Sequence, residues 1–249
     1  MVMPMRGSRL HLLDLLDLGR PGFTEVMNGL LGDSPFKLHE QSDWSPLGHQ
    51  DSRECYLHKF CRDRCHGLFN YEPLMGWWVP EPWRPPTWDL IATGRVGDKF
   101  GILLVEAKAN EKEFDWGGKR LAPSASIGSK QNHGQITSCI QEANDALNGL
   151  CDGIFNLSIR SHYQLVNRAA HLWKLASCGI PVVLLYLGFT GDTYFSDCIM
   201  TDDHWQRAMG GYIQGVVPQG FIDRPAISTA NGGTAQFLVK SRRVQRVSI

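Results

Sequence analysis

Phe100-Gly101-Ile102-Leu103-Leu104-Val105-Glu106-Ala107-Lys108-Ala109 decides how this chain folds. From Gly101 to Val105 every residue is apolar or glycine, so the segment offers no side to solvent and belongs inside a sheet covered on both faces. Glu106 and Lys108 follow at i and i+2, which in a strand project to the same side. Ionised groups at the end of an interior strand are costly unless they pair or hold a metal. The charged pair is therefore the first candidate site.

Working upstream, Trp88 to Val96 is a second extended run, joined to the first by Gly97-Asp98-Lys99, which predicts a β-hairpin. The antiparallel return carries Asp89, near the start of the earlier strand, towards Glu106 at the far end of the later one. Downstream, residues 110–134 are polar and carry Gly117, Gly118, Gly128 and Gly134, the pattern of a mobile connection, where function often resides. A helix is expected over 135–150 and another over 161–178, the second with Leu165, Ala169, Leu172, Trp173 and Ala176 on one apolar stripe. Gly179 ends it, and Ile180 to Leu187 is a buried-type strand that should return parallel to its neighbour through this helical crossover.

Further out, residues 9–31 carry leucines at helical spacing and stop at Gly32-Asp33-Ser34-Pro35. Ser52 is the expected cap of a helix running to about residue 69. The stretch 77–88, with Pro80, Pro82, Pro85 and Pro86 among tryptophans, is expected to be irregular. A last helix at 202–212 and a last strand at 235–239 lead into a basic tail, Lys240 to Arg246. The expected architecture is α/β: a mixed central sheet, antiparallel hairpin plus parallel strand after a helical crossover, flanked by helices. One domain spans 1–249, with an N-terminal helical elaboration at 1–50, the core at 50–190 and a C-terminal extension at 190–249.

The 249 residues are 43% hydrophobic, enough for a sizeable core, and 25 basic residues balance 25 acidic ones, so any phosphate-binding surface must be local. Asp14 and Asp17 interrupt the early leucine run, against a secretory leader. Ile180 to Phe189 is about half of the ~20 apolar residues a membrane span needs, so no membrane partner is expected. Seven cysteines, an odd number without a dense framework, fit a reducing cytoplasm with no disulfides. The sequence leaves a homodimer open.

Asp89, Glu106 and Lys108 together suit phosphodiester hydrolysis. The two carboxylates supply the oxygen ligands that Mg²⁺ or Mn²⁺ prefers, and the ammonium would orient a water and stabilise transition-state charge. The runs Trp88-Asp89 and Leu104-Val105-Glu106-Ala107-Lys108-Ala109 resemble the PD-(D/E)XK signature of restriction-endonuclease-like nucleases, with tryptophan in place of the usual proline. Element order over roughly residues 50–190 is similar as well. In more detail the chain resembles a stand-alone subset of that superfamily sharing Val105 to Ala109, Tyr163-Gln164-Leu165-Val166-Asn167-Arg168 and Gly179 to Leu184. The resemblance implies a restriction-endonuclease-like core and a metal-dependent nuclease, with DNA the expected polymer, and it supplies no specific substrate.

It also implies that Gln164, on the helix after the motif strand, contacts a metal-bound water or the scissile strand, with Arg168 as a phosphate clamp. Gln164, Arg168 and His171 share one flank of that helix, whereas Asn167 fits less well. Lys130 and His133 are further phosphate-binding candidates, and Glu54 is a candidate third carboxylate. Glu111, Glu113 and Asp115 read as solvated loop charges. Cys55, His58, Cys61, Cys65 and His66 carry ligand-capable atoms, but their spacing lacks paired knuckles, and a helical stripe beside the core explains them. The tail, with Lys240, Arg242, Arg243 and Arg246, is equally consistent with gripping a phosphate backbone and with a frayed terminus. Two other readings compete: a catalytically silent nucleic-acid-binding or assembly module on the same fold, and a hydrolase of small phosphodiesters.

Overall fold

The structure is a computed structural model that describes residues 6–79, 85–151 and 153–244. Helices α1 (Ser8–Leu16) and α2 (Gly19–Leu31) open the chain, and two short strands follow, β1 (Phe36–Lys37) and β2 (Trp44–Ser45). Both strands pair antiparallel with the first arm of the hairpin, so the N-terminal segment adds sheet edge as well as helices. Next, β3 (Cys55–Tyr56) leads into α3 (Leu57–Arg64) and pairs with β4 (Thr87–Trp88). The helix expected from Ser52 therefore starts later, because this ladder holds residues 55 and 56 extended. Of the proline-rich stretch, residues 80–84 lie outside the described residues.

The hairpin is β5 (Leu90–Val96) and β6 (Lys99–Lys108), closed by Gly97 and Asp98. Gly97 takes φ 56°, the positive value this tight turn needs at its first position. Helix α4 (Ile127–Asn148) begins inside the stretch expected to be a loop. Ser126 caps it by accepting from the Ser129 amide at 3.1 Å. Gly134 has open space where a side chain would stand, so as a helical glycine it costs only about 1 kcal/mol. Helix α5 (Tyr163–Ser177) and β7 (Pro181–Thr190) complete the crossover, with β7 parallel to β6 as expected. After α6 (Asp202–Ile213) come β8 (Ile227–Ser228) and β9 (Thr234–Arg243). β9 extends past the expected end at residue 239, so Lys240, Arg242 and Arg243 belong to a strand rather than a loose tail; Arg246 lies outside the described residues.

The result is an α/β fold around a mixed seven-stranded sheet in the order β1-β5-β6-β7-β9-β8, with β2 also on β5. β7 is buried along its whole length, as a strand covered on both faces must be. Side-chain alternation divides β6 between two cores. Leu103, Val105, Ala107 and Ala109 meet the side chains of α1 and α2, including Leu12, Leu16, Phe23 and Met27. Ile102 and Leu104 meet the opposite layer, including Ile140 of α4, Leu165 and Leu172 of α5 and Trp205 of α6. Each such leucine, isoleucine, valine, phenylalanine or methionine, fully buried, contributes roughly 1.5–3 kcal/mol. Glu106 and Lys108 continue the second alternation, so both project towards the layer that contains α5. No helix among the described residues is long and apolar enough to cross a membrane.

Candidate functional site

Leu90 pairs with Val105 across the hairpin, which sets Asp89 beside Glu106. Asp89 occupies the bend where the chain leaves β4 and enters β5, and its Oδ2 accepts from the Ala107 amide at 2.8 Å. Glu106 is 1% exposed and both of its oxygens are engaged: Oε1 accepts from Lys108 Nζ at 2.6 Å and Oε2 from Arg168 Nε at 2.8 Å. Lys108 Nζ also donates to Gln164 Oε1 at 2.9 Å. Asp89, Glu106, Lys108, Gln164 and Arg168 thus come together between the end of β6 and the first turns of α5.

Electrostatics separates the two carboxylates. Burial pushes Glu106 upwards, but Arg168 and Lys108 outweigh it and hold its carboxyl below the usual carboxylate value. Asp89 is pushed up to about 7, first by desolvation and then by the negative charge of Glu106; Lys108, the Ala107 amide and Arg168 only partly compensate. One carboxylate is fully countered and the other is short of positive charge. Lys108 has three ammonium donors and uses two of them here.

Arg168 is more deeply engaged than a phosphate clamp would be. It is 5% exposed, donates through Nη1 to Asn167 Oδ1 at 2.9 Å and through Nη2 to the Thr87 carbonyl at 2.8 Å, and lies 4.2 Å from the centroid of Trp88. It is the counter-ion that makes a buried Glu106 tolerable. His171 turns towards Trp77, Trp78 and Trp88, and its Nδ1 donates to the Asn167 carbonyl at 2.8 Å. Burial pulls its pKa down to about 4, so it is neutral near pH 7.

The other expected residues lie outside this cluster. Glu54 pairs with Arg9 and accepts from Thr87 Oγ1 at 2.5 Å. Lys130 is exposed on the first turn of α4, and His133 Nε2 meets the Lys119 carbonyl at 3.0 Å. Glu113 accepts from the Ala109 amide at 2.8 Å and Glu111 contacts His204 at 2.7 Å, so neither joins Asp89. Cys61 and Cys65 are buried in the core with free thiols.

Sequence reasoning missed Tyr186. The parallel register sets it directly beside Glu106, and its buried hydroxyl has no hydrogen-bond partner among the described residues. A tyrosine midway along an apolar strand gives no signal by itself; only the β6–β7 register identifies it as a neighbour of the site.

Asp89 and Glu106 are the hard oxygen donors of this cluster, and the uncompensated charge on Asp89 suits a divalent cation. No group of three or more His, Cys, Asp or Glu gathers at metal-binding distance among the described residues, so any further ligands would be water, backbone or substrate oxygens. Compared with family models, curated proteins and solved structures, the chain matches none of them.

Proposed function

We propose that this chain is a Mg²⁺- or Mn²⁺-dependent nuclease with a restriction-endonuclease-like core, DNA being the expected polymer. The observation that carries this reading is the meeting of Asp89, Glu106 and Lys108 with Gln164 at one sheet end. The order of hairpin, helices and parallel strand supports it. Asp89 and Glu106 would hold the ion, whose chemistry when bound is to polarise the phosphoryl group and acidify water.

The chain's own residues do the positioning. Glu106 and Gln164 fix the Lys108 ammonium and leave one proton to donate to a phosphate oxygen or the attacking water. Gln164, accepting through Oε1, keeps its amide nitrogen as a further donor. Hydrolysis forms one P–O bond to the water oxygen and breaks one P–O bond to the leaving sugar oxygen, which takes up a proton. Fixed donors stabilise the charge that builds on the phosphoryl oxygens without reorganising.

The test is cleavage of labelled single-stranded and duplex DNA and RNA in Mg²⁺, Mn²⁺ and EDTA. Wild type should cleave only with metal, and Asp89→Asn and Lys108→Met should lose at least about 100-fold while their circular dichroism stays native. Equal cleavage by wild type and Asp89→Asn would overturn the proposal. The engagement of both Glu106 oxygens favours a second reading, a silent binding module, which predicts oligonucleotide binding with no cleavage under any metal. Turnover of a chromogenic diester without turnover of any polynucleotide would point to a small-phosphodiester hydrolase.

A further inference from the structure

At the start of α5 lies an aromatic shelf that the hydrolytic reading leaves unused. Trp116 is 53% exposed, on the loop between β6 and α4. Its ring makes T-shaped contacts with His162 and Tyr212, each at 5.3 Å between centroids. Backbone bonds fasten this loop to the start of α5: the His162 amide donates to the Trp116 carbonyl (3.2 Å), Tyr163 to Gly117 (2.9 Å) and Lys119 to Ile159 (2.9 Å). Gly118 lies so close to Arg160 that an added Cβ would fall 2.1 Å from its carbonyl oxygen. The tryptophan is exposed, yet its backbone is held.

The shelf adjoins the site through two connections. His162 caps α5 two residues before Gln164, which holds Lys108. Tyr212 lies 6.5 Å from Tyr186, the register neighbour of Glu106. On this loop and the segment it is fastened to are Lys119, Arg120 and Arg160, all exposed and in no ion pair among the described residues, with the Lys119 ammonium 5.0 Å from the centroid of Tyr163. Both ring nitrogens of His162 are shielded from solvent and have no partner among the described residues. Such a ring is costly unless a ligand or water completes it.

An exposed tryptophan, nearby exposed cations outside any ion pair and an unsatisfied polar ring match the chemistry of an unpaired nucleotide. Aromatic faces stack on any base and basic side chains follow the backbone, whereas a duplex keeps its bases out of reach of such a shelf. Resting on the nuclease reading, we propose that Trp116 stacks an unpaired base next to the phosphodiester at Asp89 and Glu106, so that the substrate is single-stranded nucleic acid. Lys119, Arg120 and Arg160 hold the phosphates on either side of that base.

The experiment is fluorescence anisotropy of a fluorescein-labelled oligonucleotide, single-stranded or annealed to its complement, in EDTA so that binding is read without cleavage. Single strand should bind at least about tenfold tighter than blunt duplex. Trp116→Ala should weaken single-strand binding about 5- to 150-fold, and Trp116→Phe only a few-fold. Replacing Lys119, Arg120 and Arg160 by alanine should lower the salt slope by about 2, at roughly 0.7 per phosphate contact. Unchanged binding by Trp116→Ala, or a preference for duplex, overturns the inference. So does failure to bind either oligonucleotide combined with self-association that Trp116→Ala removes, which would make the shelf a protein contact. Metal-dependent cleavage by wild type and its loss in Asp89→Asn are read in a separate assay, so failure of the nuclease reading is distinguishable from failure of this inference.

Discussion

The two faces of one strand, β6, divide its work. Towards α1 and α2 the strand presents Leu103, Val105 and Ala107, which pack against apolar side chains of those helices. Towards α5 it presents Ile102 and Leu104 and then Glu106 and Lys108, and α5 answers with Arg168 and Gln164. The apolar face only has to fill space. The charged face has to match charges as well, and it leaves Asp89 short of a partner.

Removing a counter-ion from the charged face should have the largest effect. Arg168→Met leaves Glu106 buried with Lys108 alone and should cost about 3–5 kcal/mol in denaturant unfolding, because an uncompensated charge remains in the interior. The double variant with Glu106→Gln should recover part of that loss. If Arg168→Met unfolds like wild type, Glu106 is not held as described.

Asp89 should act in the opposite sense. Its folded pKa is about 7 against roughly 3.9 unfolded, so the folded form holds its proton over a window where the unfolded chain has released it. Metal-free stability from this group is therefore full below about pH 4 and lost as pH rises towards 7, by up to about 4 kcal/mol. Asp89→Asn should be more stable than wild type at pH 8 in EDTA, and the two should converge at pH 4. A constant difference across that range would remove the electrostatic account of this residue.

The apolar face provides the sharpest contrast. Leu185→Ala, opposite Val105 in the register and fully buried, should cost about 3 kcal/mol at every pH between 4 and 8, the ordinary penalty of a cavity. It should also leave cleavage per folded molecule unchanged.

The sheet centre was legible because Gly101 to Val105 and Ile180 to Leu187 are apolar on both faces and because glycine at position 97 marks the turn. Those features locate Asp89, Glu106 and Lys108, and helical spacing placed Gln164 and Arg168 on one flank. The pairing of Arg168 with Glu106 was not readable as such, since the same arginine could as well face solvent or substrate. The β3–β4 ribbon escaped because two-residue strands have no periodicity. The early start of α4 was hidden by glycines that read as breakers but face open space. Tyr186 and the Trp116 shelf depend on long-range register and on loop docking, which no local pattern encodes.

Direct metal binding tests the central claim that Asp89 and Glu106 form a cation site. Mn²⁺ titrated into the purified chain, followed by electron paramagnetic resonance of the free ion, should report binding by wild type. The same binding is expected for Asp98→Asn, a control at the exposed hairpin turn, with at least about tenfold weaker binding by Asp89→Asn. Equal binding by Asp89→Asn and wild type, or none by wild type, would contradict it.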